Sequence, residues 1–213
     1  MWNRTLEKAQ AALDGVPGKA VAQALDWQRL SSALVAGDVI VSMLPATMHM
    51  QVAELCLGKR EHFVSSSYIS PPMRALSDRA TENGLCFVNE VGLDPGLDHL
   101  LAHALVHEYK KSPRFHKNHQ HYFRSYCGGL SELPNDFKYK FSWSPLGVLK
   151  ALKSQATWVA DGQTRTTDQP WKALSETTMQ LAQGAETFQA FPNRDSLPFV
   201  EMYGFRDDWN VQE

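Results

Sequence analysis

The sequence predicts an α/β protein, an incomplete parallel sheet covered by helices and followed by part of an α+β region. Three observations carry this. Short apolar runs begin at Val39, His62 and Leu85, 23 residues apart, each followed by a segment with helical spacing or a helix start signal. Strands alternating with helices at that interval imply parallel pairing. Beyond about residue 112 the pattern changes to alternating strands, with a hairpin signal at Asp161-Gly162.

Taken in order, Trp2-Asn3-Arg4-Thr5 reads as a strand end, and Leu6 to Leu13 as its helix. Val39 to Leu44, ended by Pro45, reads as a buried strand. Thr47 to Gly58 has helical spacing, with Met48, Val52 and Leu55 on one side. His62 to Ser65 is the next strand. Ser70 before Pro71-Pro72 is a helix start, a hydroxyl cap and then proline in the first turn. Asn83-Gly84 stops that helix, and Leu85 to Asn89 is a third strand. Asp94-Pro95 opens a helix whose expected apolar stripe is Leu97, Leu100, Leu101, Ala104 and Leu105. In the second half, strands are expected over His119 to Tyr126, Lys138 to Trp143, Trp158-Val159 and Gln163 to Thr167, and helices near 145–155 and 172–182. The expected domains are 1–112 and 113–213.

Parallel sheets bind ligands beyond the carboxyl ends of their strands. Those ends carry Met43-Leu44-Pro45, Ser65-Ser66-Ser67-Tyr68 and Glu90-Val91-Gly92-Leu93-Asp94. A dinucleotide fold also needs a G-x-G-x-x-G turn between its first strand and helix. Neither Gly128-Gly129 nor Gly15-Val16-Pro17-Gly18 supplies one, so the sheet is entered one βα unit late.

Composition narrows the function classes. Twenty-one basic and 23 acidic residues leave a net charge of −2, against the basic surface that nonspecific nucleic-acid binding needs. No run approaches the ~20 apolar residues of a membrane span, and the polar start MWNRTLEKAQ lacks a signal-peptide core. Cys56, Cys86 and Cys127 are odd in number and widely spaced, which fits free thiols in a reducing, cytoplasmic setting. His99, His103 and His107 recur every four residues, and His119 and His121 fall on one strand face near His116. No acidic or cysteine partner at matching spacing completes a site around His99, His103 and His107, and no metal is expected at either histidine set.

Five segments in order, Ser66-Ser67-Tyr68-Ile69-Ser70-Pro71, Asn89 to His99, Ser125 to Leu130, Tyr139 to Ser144 and Phe191 to Ser196, resemble the saccharopine dehydrogenase family of the glutamate-forming type, the saccharopine reductases. The resemblance covers nearly the whole chain. It implies an incomplete Rossmann-like NAD(P)-binding domain over 1–112, lacking its first βα unit, and part of an α+β substrate and dimerisation domain over 113–213. Family members are longer, so the chain is expected to be cut at both ends. The implied reaction interconverts saccharopine with glutamate and 2-aminoadipate 6-semialdehyde, in a homodimer using NADP, with NAD as the alternative. Carried over, the resemblance assigns cofactor contacts to Asn3, Arg4, Thr5, Asp26, Trp27, Leu44, Ser66, Ser67, Leu93, Asp94, Pro95 and Ser144. Substrate contacts fall to Ser67, Tyr68, Asp94 and Arg194, and no general acid or base is assigned.

The residue chemistry supports this where it can be read. Arg4 follows a strand end where an acid would hold the ribose hydroxyls of NAD and a base suits the extra phosphate of NADP. Arg194 offers a planar fork for a carboxylate, or an ion pair to a nearby acid. Asp94 stands where a helix N-cap would, and could also hold a substrate amine. Cys127 is expected to be a buried, inert thiol. Two departures stand out: Leu146 where the family has arginine, and Ser131 where it has proline. The competing readings are a non-catalytic fragment that folds or dimerises without turnover, and a related imine-forming dehydrogenase of polyamine synthesis.

Overall fold

A computed structural model describes residues 1–129, 131, 133, 135–137, 139–141, 144–181, 184–205 and 209–212. Contacts divide the chain into two units, Met1–Leu101 and Ala102–Glu213.

In the first unit, β1 (Trp2–Asn3) leads into α1 (Leu6–Leu13), and β2 (Gln23–Ala24) into α2 (Trp27–Ala33). The two strands pair in parallel, Trp2 with Gln23 and Asn3 with Ala24. A second parallel sheet has the order β3 (Val39–Ser42), β4 (His62–Ser65), β5 (Phe87–Val88). Between these strands run α3 (His49–Lys59), entered through a 3-10 turn at Ala46–Met48, and then α4 (Pro71–Arg74) and α5 (Ser77–Glu82). Strand alternation on β4 sends Phe63 and Ser65 inward. Phe63 packs with Val52, Ala53, Cys56 and Leu57 of α3 and with Met73 and Leu76. The buried face of α3 is therefore turned from the expected Met48, Val52 and Leu55 line. Ser70 accepts the Met73 N–H at 3.3 Å and caps α4. Gly84, at φ 68°, follows α5 as the stop signal required.

The strand over Val39 to Leu44 differs from a fully buried one. Ile40 and Ser42 face the core, whereas Val39, Val41 and Met43 are 60%, 61% and 74% exposed, because helix packing covers only one face of β3. The third strand is also shorter than expected, Phe87–Val88.

The helix after Asp94-Pro95 requires a larger correction. Helix α6 runs from Leu97 to Lys111. The Asp94–Pro95 peptide is cis, and Gly96 stands at φ 147°. The chain folds over itself before the helix begins, with a bridge between Gly92 and Gly96. The expected stripe is inverted: Leu97, Leu100, Leu101 and Leu105 are 52% to 67% exposed. Val106 is the buried residue of α6, and Ala102 and Tyr109 pack beside it.

In the second unit, β6 (Tyr122–Arg124) pairs in parallel with β11 (Asn210–Gln212). Between them lie α7 (Pro145–Ala151), the hairpin β7 (Ala156–Ala160) and β8 (Gln163–Thr167), the ribbon β9 (Ser175–Leu181) and β10 (Gly184–Ala190), and α8 (Leu197–Met202). The hairpin turns on Asp161 and Gly162 at φ 54° and 67°, as its sequence predicts. The helix expected near 172–182 is instead β9. Of its Ser-Glu-Thr-Thr-Met-Gln-Leu sequence only the two threonines favour extended chain, and pairing along its length with β10 overrides the rest. The strand expected over His119 to Tyr126 shortens to β6. Of the strand expected over Lys138 to Trp143, Tyr139 to Phe141 are not in a strand, and Lys138, Ser142 and Trp143 lie outside the described residues, as does Leu130. The core of this unit is aromatic: Phe123, Tyr203, Phe205 and Trp209 with Val106 and Val211.

Two predictions test this packing. A Cβ at Gly96 would fall on the backbone of Gly92 and within 2.9 Å of the Glu90 carbonyl. Gly96→Ala should therefore cost about 1–3 kcal/mol in thermal or urea unfolding; an unchanged midpoint would show that this turn is not required. The second concerns Glu61, fully buried at the start of β4, with no hydrogen-bond partner on either carboxylate oxygen among the described residues. Burial, then the nearby Asp38 charge, pushes its pKa above the usual 4.5. The unfolded chain then loses this proton first, so Glu61 is tolerated below the unfolded pKa and destabilises as pH rises through the folded one. Glu61→Met should raise the melting temperature more at about pH 8 than at about pH 4.5.

Candidate functional site

The carboxyl ends of β3, β4 and β5 bring a set of short polar side chains together. Ser42 closes β3, Ser65 closes β4 and Asn89 follows β5. Ser65 Oγ donates to Asn89 Oδ1 at 2.9 Å, and the Ser67 N–H reaches Ser65 Oγ at 3.4 Å. Glu90, at φ 62°, turns its carboxylate back to accept the Ile69 N–H at 3.0 Å. The chain from Glu90 to Gly96 then folds onto the end of β4. Gly92 allows this, since a Cβ there would stand 3.1 Å from the Ser66 Cβ.

This brings the sequence-predicted residues Ser66, Ser67, Tyr68, Leu93, Asp94 and Pro95 together on one edge. Tyr68 Oη donates to Asp94 Oδ1 at 2.8 Å, and both residues are exposed. Asp94 is not the N-cap of α6, which starts three residues later. The cap expectation fails because the chain closes on itself through the Gly92–Gly96 bridge before the helix begins. Pro95 is buried, Leu93 is 74% exposed, and Leu44 packs against the α3 core.

Asn3, Arg4 and Thr5 form the end of β1. Asn3 Oδ1 accepts the Thr5 N–H at 3.0 Å, and Arg4 is exposed. At the end of β2, Asp26 caps α2 by accepting the Arg29 N–H at 2.8 Å, and Trp27 packs toward the α3 core. No acidic side chain follows β1 directly, and an exposed guanidinium does. This donor set fits a phosphate on the adenosine ribose.

Ser144 and Arg194 belong to the second unit. Ser144 caps α7, accepting the Gly147 N–H at 3.1 Å. Arg194 is exposed, in the left-handed region at φ 52°, and its carbonyl accepts the Thr157 N–H at 2.7 Å. Cys127 is exposed rather than buried, since it follows β6 in irregular chain, while Cys56 is the buried thiol, its pKa pushed up to about 12 by burial and then by Glu61. His119 and His121 do not share an exposed face. His121 is buried, its ring stacked on Trp209 and Phe115.

One site residue was missed in the sequence. His49, the first residue of α3, is 4% exposed and sits between two strand ends. Its Nδ1 lies 2.9 Å from Ser42 Oγ and its Nε2 2.8 Å from Ser67 Oγ. The signal was a histidine placed four residues after the proline that ends β3, at the turn into a helix.

With this geometry in view, comparison with known proteins is direct. Residues 1–88 match the saccharopine dehydrogenase NADP binding domain, and residues 92–212 match the saccharopine dehydrogenase C-terminal domain. The chain belongs to the saccharopine dehydrogenase family. It is 36% identical over 209 residues to saccharopine dehydrogenase [NADP(+), L-glutamate-forming] of Saccharomyces cerevisiae, covering 94% of this chain and 45% of that protein. It is 33% identical over 180 residues to the mitochondrial alpha-aminoadipic semialdehyde synthase of Bos taurus, covering 83% of this chain and 19% of that one. A solved structure of apo, histidine-tagged saccharopine dehydrogenase (L-Glu forming) from S. cerevisiae superposes with a TM-score of 0.76 at 33% identity, over 99% of this chain and 48% of that chain. The chain thus spans about half the length of its yeast relatives. Among the described residues, no helix is long and apolar enough to cross a membrane.

Because Asp94 caps no helix, Asp94→Ala should fold normally. The expected cost is that of one exposed hydrogen bond, about 0.5–1.5 kcal/mol. A larger loss in thermal melts would restore a structural role to this residue.

Proposed function

We propose that the chain is an NADP-dependent oxidoreductase of lysine metabolism, interconverting saccharopine with glutamate and 2-aminoadipate 6-semialdehyde. The observation that carries this reading is the cluster of Ser67, Tyr68 and Asp94 at the carboxyl edge of the parallel sheet, within a chain that matches both domains of the family. The bound nicotinamide would take a hydride from the carbon of the secondary amine, after which water splits the resulting imine.

The chain's own residues bind and orient. Arg4 holds the adenosine phosphate, with Asn3, Thr5, Asp26 and Trp27 around the adenosine. Leu44, Ser66, Ser67, Leu93, Asp94, Pro95 and Ser144 are the remaining cofactor contacts. Tyr68 occupies one oxygen of Asp94 and leaves the other for the substrate amine, while Ser67 and Arg194 take carboxylates. In this reading 1–112 supplies most of the cofactor contacts together with Ser67, Tyr68 and Asp94, 113–213 supplies Ser144 and Arg194, and the second part forms a cytoplasmic homodimer.

The alternative is a chain that folds or dimerises without turnover. Calorimetric titration of the chain with NADPH, NADH and saccharopine, beside an assay of NADP-linked saccharopine oxidation, separates the two. Weak NADPH binding without oxidation supports the reading without turnover; micromolar binding with oxidation supports the enzyme.

Cofactor choice should depend on Arg4. NADPH is expected to bind more tightly than NADH, and Arg4→Ala should erase the difference, a change of about 1.5–3 kcal/mol for a charged hydrogen bond. Equal affinity in the parent chain would rule the assignment out. Arg194→Lys keeps charge but loses the two-pronged contact. It should weaken saccharopine roughly 10- to 150-fold and leave NADPH unchanged. Unaltered saccharopine affinity would make Arg194 a structural residue.

A further inference from the structure

The bridge from Ser42 through His49 to Ser67 assigns hydrogen positions that distances alone leave open. Ser42 is 3% exposed, and among the described residues its hydroxyl has one partner, His49 Nδ1 at 2.9 Å. A buried hydroxyl needs an acceptor for its hydrogen, and here Nδ1 is the acceptor present. Nδ1 then carries no hydrogen. Burial lowers the pKa of His49, which keeps the ring neutral with one N–H to give. That N–H is on Nε2, and it points at Ser67 Oγ 2.8 Å away. Ser67 therefore accepts from His49, and its own hydroxyl hydrogen is spent on no protein group among the described residues.

We infer that His49 is a positioning residue that fixes Ser67 as a hydrogen-bond donor toward the ligand, so that Ser67 can give its hydrogen to an anionic or carbonyl oxygen. The opposite tautomer would reverse this. Nδ1–H would donate to Ser42, Ser67 would spend its hydrogen on Nε2, and Ser67 could only accept. The buried tautomer thus leaves Ser67 a hydrogen to give along this edge. The Asp94 carboxylate, 2.8 Å from Tyr68 Oη, adds an acceptor to the same edge. Ser67 itself is half-buried. The ligand role of Ser67 rests on the function proposed above; the tautomer does not.

The test has two arms. Long-range proton–nitrogen NMR of the histidine rings, with His49 assigned by its loss in His49→Gln, reads the tautomer directly. The expected spectrum has a protonated Nε2 and a bare Nδ1; the reverse, or an averaged pair, overturns the inference. The second arm is calorimetry of the whole chain with NADPH and with saccharopine. His49→Asn keeps reach to Ser42 and loses Ser67, whereas His49→Gln places an amide N–H near the Nε2 position. Ser67→Ala and His49→Asn should weaken at least one of the two ligands about tenfold or more, and His49→Gln should recover most of it. Normal affinity for both ligands in Ser67→Ala overturns the positioning role, and normal affinity in a folded His49→Asn does the same. Should neither ligand bind the parent chain, the proposed function fails, while the ring spectrum still decides the tautomer.

Discussion

The register of β4 is the constraint on which the rest of the first unit depends. Phe63 is fully buried against α3 and α4, and it pairs laterally with Ile40 and Phe87. Because side chains alternate, fixing Phe63 inward also fixes Ser65 inward two residues later. The parallel pairing then sets Ser42 beside Ser65, and the chain leaving β4 presents Ser66, Ser67 and Tyr68 at the edge. A slip of one residue would bury Val64 and expose Phe63, and it would carry every polar group of the site to the wrong face. Core and site are thus specified by the same apolar contact.

The polar groups above that core are bound to one another in a definite order. Ser65 is tied to Asn89, Ile69 to Glu90, Ser67 to His49, and Tyr68 to Asp94. Each tie joins groups that follow different elements, so the edge keeps its geometry without depending on one long loop. Glu61 at the opposite end of β4 is the contrast. It is as buried as any group in the unit, yet neither carboxylate oxygen has a hydrogen-bond partner among the described residues. Burial with partners fixes a ring tautomer at His49; burial without them makes Glu61 prefer its protonated form.

Much of this was legible in the sequence because it rests on local signals. The strands at Val39 and His62, the Ser70 cap before two prolines and the Asp161-Gly162 hairpin follow from period, capping or turn chemistry, and period also places Ser67, Tyr68 and Asp94 beyond strand ends, although their choice as site residues rests on the family resemblance. What was not legible depended on tertiary choice. Asp94-Pro95 satisfies the rules for a helix start, but Gly92 and Gly96 let the chain close on itself first, and the helix waits until Leu97. Ser175 to Leu181 has no strong period, and its pairing with β10 decided its state. His49 shows in the sequence only as a histidine at the turn into a helix, with nothing to name its partners. Its partners are seven and eighteen residues away, and only the parallel register brings them to one ring.

The leucine stripe of α6 shows the same limit from the apolar side. A 3.6-residue period reports that residues share a face, not that the face is covered. Along α6 two faces compete. Leu97, Leu100, Leu101 and Leu105 form the more hydrophobic one, yet Ala102, Val106 and Tyr109 form the one that packs. The second face wins because its ring and small side chains meet an aromatic cluster: Tyr109 contacts Phe115, His121 and Trp209 edge-on. Rings bury more area per contact than leucines and gain from edge-to-face geometry, so a partner rich in aromatics selects the face that fits it. The exposed faces of α6 and β3 are therefore the unused alternatives of a pattern whose period is right and whose partner the sequence does not name.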